Sequence, residues 1–403
     1  MNVAIAPSVA KGSVLAPPSK SMAHRALIAA ALSEGESVLS PVALSEDMIA
    51  TMESLSALGA SFSRKGETVF VKGVSYPRPT GENLFCRESG STLRFLIPLC
   101  LLTGERITLT GAPRLLERPL SVYEDLCREK GFLFEKTEES LTVCGRLCAG
   151  MYRVPGNISS QFITGLLFAL SVLSEDSVLA IEGDLESASY LDMTSLAMSR
   201  FGKTVKREGK TFYLSGKSAY IPQKFTVEGD YSNAAFLEAF SLLGGEVCVS
   251  GLEKNSVQGD RVYRDFYPRL AKGCPTLDLS DCPDLAPVLF ALAALFHGGV
   301  FTGTSRLAMK ESDRGKAMAQ ELEKCGCRLI LEENRIVVPK TKLFAPQKEI
   351  ESHNDHRIVM AMSLVLSRVG GVIKGAQAVK KSYPDYFEQI KKLGIEVKQY
   401  ETE

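Results

Sequence analysis

One pattern recurs six times along this chain: a small polar or acidic cluster, an apolar stretch of helical length, a break at Gly, Ser or Glu, and a short β-type run ending in a turn. The copies are "SKSMAHRALIAAALSEGESVLSPV", "ESGSTLRFLIPLCLLTGERITLTGA", "GNISSQFITGLLFALSVLSEDSVLAIEGD", "GDYSNAAFLEAFSLLGGEVCVSGL", "DCPDLAPVLFALAALFHGGVFTGT" and "HNDHRIVMAMSLVLSRVGGVIKGA". At the closing turn, Pro41, Gly111, Gly183, Gly251, Gly303 and Gly375 are separated by 70, 72, 68, 52 and 72 residues. A period this long marks duplicated supersecondary units, not a solenoid of short repeats.

Other segments add a second helix and two alternating strands, as in "SEDMIATMESLSALGASFSRKGETVFVKGV" and "PLSVYEDLCREKGFLFEKTEESLTVCG". Apolar residues three and four apart mark helix, and alternating ones mark strand. Each unit therefore reads as βαβαββ, an α/β (α+β) architecture. Single cores rarely grow beyond roughly 250–300 residues, so a chain of 403 is expected to form two domains of three units each. The second helices carry charge on one side and are expected to face solvent. The first helices, such as "FITGLLFALSVL", are apolar nearly all round and belong inside their domain.

A buried helix still has unpaired N–H groups and a partial positive charge at its amino end. The polar clusters sit at those ends. In the first half they hold Lys20, Ser21, Arg25, Gly90, Ser91, Arg94, Ser159, Ser160 and Gln161, a set of hydroxyls, an amide and cations suited to a phosphorylated polyhydroxy ligand. In the second half they hold Asp284, Asp355, His356 and Arg357, joined by "RLAMKESDR" (Arg306 to Arg314) and "KKSYPDY" (Lys380 to Tyr386). One such end alone could be a Ser21 cap with Lys20 and Arg25 reaching to water. Six together predict convergence on one anion site. Carboxylates among cations fit a two-substrate transferase acting on doubly anionic ligands.

Lys+Arg and Asp+Glu both number 47, so no global field draws nucleic acid or an anionic membrane, and neither is expected as a partner. The longest apolar runs, such as "LAPVLFALAALF", fall short of the roughly 20 residues that span a bilayer. "MNVAIAPSVAKGS" lacks a basic segment followed by a sustained apolar one, so no signal peptide is expected and the reading is cytoplasmic. Ten cysteines without a CxxC pair read as reduced core residues, Cys325 and Cys327 being the one candidate redox pair. His353 and His356 in "HNDH" have metal-ligand spacing, but no third ligand cluster accompanies them, so no metal is expected. There is no GxxxxGK[ST], no GxGxxG after a strand and no GxSxG, which argues against a P-loop NTPase, a dinucleotide fold and a serine hydrolase of the elbow type.

"PPSKSMAHRAL", "ESGSTLRFL", "ERPL", "ISSQFITGLLFAL", "SYLDMT", "PDLAPV", "KESDR", "NDHRIVMA" and "KSYPDYFEQI" together resemble, in this order and almost end to end, the 5-enolpyruvylshikimate-3-phosphate synthase family in its bacterial monofunctional form. The resemblance implies the enolpyruvyl transferase fold, an inside-out α/β barrel whose buried parallel helices aim their amino ends at an interdomain cleft. By analogy residues 15–226 form the shikimate-3-phosphate-side domain and residues 1–14 with 227–403 the second. The hinge lies near 14–19 and 225–229, with closure on the first substrate. The implied reaction transfers the enolpyruvyl group of phosphoenolpyruvate to the 5-hydroxyl of shikimate 3-phosphate and releases phosphate, on the route to chorismate and aromatic amino acids. It needs no cofactor and no partner beyond these two small molecules, and many relatives are monomers.

Carried over by position, the resemblance assigns Lys20, Ser21, Arg25, Ser159, Ser160, Gln161, Tyr190, Asp284 and Lys310 to shikimate 3-phosphate. It assigns Lys20, Gly90, Arg118, Gln161, Arg314, Arg357 and Lys381 to phosphoenolpyruvate. Asp284 would take the hydroxyl proton, Glu311 and Lys20 would handle protons at the methylene carbon, and His356 would orient and neutralise charge nearby. Asp313 reads as structural, fixing Arg314. Three positions depart from the family's usual residues: Glu88 for Asn, Phe95 for Pro, and Arg306 for Asn. A carboxylate at 88 would repel an anionic substrate unless paired with an arginine. Gly90 matches the small residue that leaves room for glyphosate. The nearest alternative is UDP-N-acetylglucosamine enolpyruvyl transferase, but Ala112 stands where that family has its reactive cysteine. A non-catalytic phosphosugar-binding protein is the other, and it would not need Asp284, Glu311 and Lys20 together.

Overall fold

The six apolar stretches form helices at Lys20–Ala31, Gly90–Cys100, Ser160–Ser171, Tyr231–Leu242, Ala286–Leu295 and His356–Val369. Side chains all round each of them are buried, because no face is polar enough to stay in water. The computed structural model describes residues 1–401 and divides into two units, Met1–Pro17 with Gly229–Glu403, and Pro18–Glu228. Each unit contains three of the helices. The chain passes between units beside two short contacts, one within each: Ser19 N donates to Glu228 O, and Asp230 N donates to Pro17 O, both at 2.8 Å.

Within a repeat, two parallel strands flank the buried helix. Met151–Pro155 and Ser177–Glu182 do so around Ser160–Ser171. The second helix, Ala188–Arg200, leads to the hairpin Val205–Glu208 and Thr211–Leu214, whose later strand lies antiparallel beside Ser177–Glu182. The same four-stranded order is built around Ile107–Thr110 and around Gly299–Thr302. Two repeats borrow a strand from a distant part of the sequence. Lys224–Thr226 pairs in parallel with Gly35–Ser40, and Asn2–Ile5 inserts between Gly371–Lys374 and Val397–Tyr400.

The fourth repeat is shorter. Among the described residues it has only the parallel pair Lys11–Leu15 and Glu246–Ser250, and its helix Tyr263–Lys272 runs directly into Thr276–Asp278. The missing hairpin accounts for the one short interval, 52 residues between Gly251 and Gly303. The closing glycines have a steric cause. Gly303 and Gly375 have φ of 68° and 71°, and a Cβ would lie 2.3 Å from Ser280 Oγ in one case and 2.5 Å from Ser352 Oγ in the other. Neither the backbone region nor the space admits a side chain.

Burial of the cysteines differs from the sequence expectation. Cys86, Cys100, Cys127, Cys282, Cys325 and Cys327 are core residues, but Cys144 is half-buried and Cys148, Cys248 and Cys274 are exposed. The last three occupy solvent-facing strand or loop positions, where a small thiol is tolerated without packing. No helix among the described residues is long and apolar enough to cross a membrane.

Candidate active site

In the Pro18–Glu228 unit the three buried helices are capped by neutral hydroxyls. Ser19, Ser89 and Ser159 accept from Met22 N, Thr92 N and Gln161 N at 3.3, 3.2 and 3.3 Å. The cap of the first helix is thus Ser19, and Ser21 is left for other use. A neutral cap satisfies one N–H without cancelling the positive helix end. That is the local condition for binding an anion there.

Cations are held in place around those ends. Arg25, 2% exposed, donates from Nε to Thr194 Oγ1 at 2.8 Å, and from its Nη atoms to Ser21 O at 2.7 Å and Tyr190 O at 3.1 Å. Its guanidinium also lies 5.3 Å from the Phe95 ring centroid and 5.8 Å from that of Tyr190. Burial pulls its pKa down to about 10, which leaves it a cation at neutral pH. Arg94 donates to Gln161 Oε1 at 2.8 Å, and Gln161 Nε2 donates to Ser91 Oγ at 3.0 Å, so the second and third helix starts are tied side chain to side chain. Lys20 Nζ pairs with Asp47 at 2.8 Å. Gly90 abuts Arg118: a Cβ there would lie 2.5 Å from Arg118 Nη1. Ser160 is buried, while Ser21, Ser159, Gln161 and Tyr190 are half-buried.

His24 stands between Lys20 and Arg25 in sequence yet adds no charge. Burial, then Lys20, then Arg25 push its pKa well below the usual imidazole value. Its Nδ1 meets Thr51 Oγ1 at 2.9 Å, which in turn meets Thr92 Oγ1 at 2.7 Å.

In the other unit two of the three buried helices carry charged caps, and Ala286–Leu295 has no side-chain cap. Asp230 and Asp355 accept from Asn233 N and Arg357 N, each at 2.9 Å. The carboxylates would cancel their helix ends, and cations restore the balance. Arg314, 1% exposed, reaches Asp284 Oδ1 and Glu311 Oε2 at 2.7 Å and Asp355 Oδ2 at 2.9 Å. Asp284 also meets Lys310 Nζ at 3.1 Å through Oδ1 and Arg357 Nη2 at 3.1 Å through Oδ2. Burial drives the Asp284 pKa upward, but Arg357, Lys310 and Arg314 together override it and hold the carboxyl well below its ordinary value. Asp355 is shifted the same way, burial opposing and Arg314 prevailing. Both are therefore ionised at neutral pH. Lys381, 7% exposed, donates from Nζ to Asn354 O at 2.5 Å. His356 is buried with Nδ1 3.8 Å from Asp355.

Asp313 caps the Arg314–Lys324 helix by accepting from Lys316 N at 3.1 Å, so it sets Arg314 through the backbone. Phe95 is buried beneath Arg25. Arg306, 6% exposed, donates to Ser280 O at 2.5 Å. His353 and His356 turn to different partners, His353 to Glu321 at 2.7 Å, and no group of three or more His, Cys, Asp or Glu that could hold a metal occurs among the described residues. Sequence reading passed over Asp47, Ser232, Asp260 and Glu321. Of these only Asp47 carried a signal, as an acidic first-turn residue after the Ser45 cap; Ser232 Oγ accepts from Arg357 Nη2 at 2.9 Å, a pairing no local pattern encodes.

The fold is that of the enolpyruvyl transferases. It is similar to EPSP synthase from Acinetobacter baumannii, with a TM-score of 0.78 at 23% identity and full coverage of both chains. It is also similar to the enolpyruvyl transferase NikO from Streptomyces tendae, with a TM-score of 0.77 at 14% identity and 98% coverage of each. Sequence likeness narrows the class. The family model described as EPSP synthase (3-phosphoshikimate 1-carboxyvinyltransferase) matches residues 6–269 and 263–390. The 3-phosphoshikimate 1-carboxyvinyltransferase of Clostridium kluyveri is 40% identical over 422 residues, covering 99% of this chain and 98% of the relative. That of Clostridium acetobutylicum is 38% identical over 423 residues, with the same coverage. This chain belongs to the EPSP synthase family, which supports the main reading and not the UDP-N-acetylglucosamine alternative.

Proposed function

We propose that this chain transfers the enolpyruvyl group of phosphoenolpyruvate to the 5-hydroxyl of shikimate 3-phosphate, releasing inorganic phosphate. The observation that carries the reading is Asp284, an ionised carboxylate gripped by Lys310, Arg314 and Arg357. Substrate oxygens that draw off one or two of those cations leave a carboxylate whose basicity rises as its partners go. The same cations become donors to the substrate. One cluster thus serves both to bind an anion and to supply a base.

In this reading a proton from Lys20 or Glu311 adds to the methylene carbon of phosphoenolpyruvate, leaving a cationic C2. The 5-hydroxyl oxygen bonds to C2 while its proton passes to Asp284. The tetrahedral intermediate then returns a methyl proton to the group, Lys20 or Glu311, that supplied the first, as the bond from C2 to the phosphate oxygen breaks, giving the enol ether and free phosphate. Ser21, Arg25, Ser159, Ser160, Gln161, Tyr190, Asp284 and Lys310, with Lys20, hold shikimate 3-phosphate. Lys20, Gly90, Arg118, Gln161, Arg314, Arg357 and Lys381 hold phosphoenolpyruvate, with His356 adjusting charge nearby. Bidentate guanidinium donors and point-charge ammoniums are the chemistry these anions require, and the anchored Arg25 and Arg314 supply it.

The Pro18–Glu228 unit serves as the shikimate-3-phosphate-side domain, and the chain acts as a monomer in the cytoplasm. Its ten unpaired cysteines suit a reducing compartment. The deciding experiment measures phosphate release from phosphoenolpyruvate with each acceptor in turn. Release is expected with shikimate 3-phosphate and absent with UDP-N-acetylglucosamine; release with neither would end the reading.

A further inference from the structure

The turn ahead of Asp355 holds two consecutive residues at positive φ. His353 and Asn354 have φ of 49° and 52°, the left-handed region that is uncommon for non-glycine residues, although His and Asn enter it more readily than most. Two side chains of one helix, Arg314–Lys324, grip the segment on either side. Arg314 Nε bonds Asp355 Oδ2 at 2.9 Å. Glu321, with its side chain 2% exposed, takes Glu351 N at 2.9 Å and Lys324 Nζ at 2.7 Å on Oε2, and His353 Nε2 at 2.7 Å on Oε1. Between these grips, Asn354 O accepts Lys381 Nζ, and Asp355 caps the helix that begins with His356 and Arg357.

We infer that Glu321 and His353 form a latch that holds the 353–354 turn and thereby aims Lys381 and Arg357 at phosphoenolpyruvate. They are positioning residues, acting through the Asn354 carbonyl and the Asp355 cap. Removing the His353 bond frees the turn to relax toward ordinary backbone angles, which withdraws the acceptor that fixes Lys381. Glu321 remains bound to Lys324 and to Glu351 N, so the helix itself keeps its place. The catalytic part of this inference rests on the function proposed above; the geometric part does not.

The test uses the full chain with His353→Ala, His353→Gln and Glu321→Gln. His353→Ala is expected to raise KM for phosphoenolpyruvate by about tenfold with little change in the dissociation constant of shikimate 3-phosphate. His353→Gln, whose amide can still donate to Glu321, is expected to recover most of that loss. Independently of turnover, acetylation of Lys381 followed by peptide mass spectrometry should run several-fold faster in His353→Ala and Glu321→Gln than in the parent, since the bond from its ammonium to Asn354 O is weakened. Should the parent release no phosphate, the proposed function fails while the labelling still decides the latch. Unchanged Lys381 labelling in both variants, or equal KM losses in His353→Ala and His353→Gln, overturns it.

Discussion

Arg314 and Asp284 meet at 2.7 Å with the guanidinium 1% exposed, and the same guanidinium serves Glu311 and Asp355. One buried cation therefore pairs with three carboxylates. Removing it would strip one cation from each of Asp284, Glu311 and Asp355, with Asp284 still held by Lys310 and Arg357, and breaking the fully buried pair with Asp355 costs several kcal/mol. The cluster acts as a unit, and single substitutions should be judged by what they leave unpaired.

Asp284→Asn removes the charge that Lys310, Arg314 and Arg357 surround while keeping the shape. Loss of a general base typically lowers turnover by about 10²–10⁴-fold, and that range is expected for kcat. Shikimate 3-phosphate should still bind, because the cations stay and one anion competing for them is gone. Calorimetric titration beside steady-state kinetics checks both halves; turnover near the parental rate would remove Asp284 from the base role.

Phe95 is buried beside Arg25, with the guanidinium 5.3 Å from its ring centroid, and stands edge-on to His24 at 6.3 Å. Phe95→Ala should destabilise the protein by about 3–5 kcal/mol through the cavity it opens and let Arg25 tilt away from Thr194. Weaker shikimate 3-phosphate binding is expected beyond the stability loss. If the variant melts early but binds this ligand as the parent does, Phe95 only packs.

The repeats were legible because "FITGLLFALSVL" and its five relatives have no polar face, and a helix of that kind has nowhere to go but the interior. Polar residues at their starts stand out for the same reason. The pairings were not legible. Lys20 and Asp47 lie 27 residues apart on different helices, and Arg357 with Ser232 lie 125 apart, so only tertiary packing brings them together. The absent hairpin of the fourth repeat had a trace in the 52-residue interval, whereas the cap of the first helix was misplaced, since "SKS" offers two serines and packing selects Ser19 over Ser21. Exposure of Cys148, Cys248 and Cys274 had no such trace, since strand and loop cysteines read alike in either setting.

Asp260, 5% exposed, is raised to about 7 by burial, then by Asp284, with Arg357 partly opposing, Asp230 adding to the rise and Lys310 opposing. A carboxyl whose folded pKa exceeds its unfolded one favours folding below about pH 4 and loses that contribution as pH rises through about 7. Asp260→Asn cannot ionise, so its melting temperature should exceed the parent's at pH 8, by less at pH 5, and match it only near pH 4. A gain of about 1 kcal/mol would appear as about 2–4 °C in a unit of 150–250 residues. A constant difference across that range would show that Asp260 does not titrate there.

Gly90 lies at the first position of the Gly90–Cys100 helix, where a Cβ would come 2.5 Å from Arg118 Nη1. No Cβ sits that close to a nitrogen, so Gly90→Ala must push the Arg118 guanidinium aside. An arginine fork displaced by even 1 Å loses bidentate alignment with a carboxylate or phosphate, and KM for phosphoenolpyruvate should rise by about tenfold, equivalent to about 1.4 kcal/mol. Glyphosate, expected to compete with phosphoenolpyruvate at the parent site, should lose more affinity than the substrate does, because a longer anion has less room to shift away from the added methyl. Inhibition constants measured against varied phosphoenolpyruvate test this in both proteins. Non-competitive inhibition of the parent, or equal sensitivity in the variant, would place glyphosate elsewhere than beside Gly90.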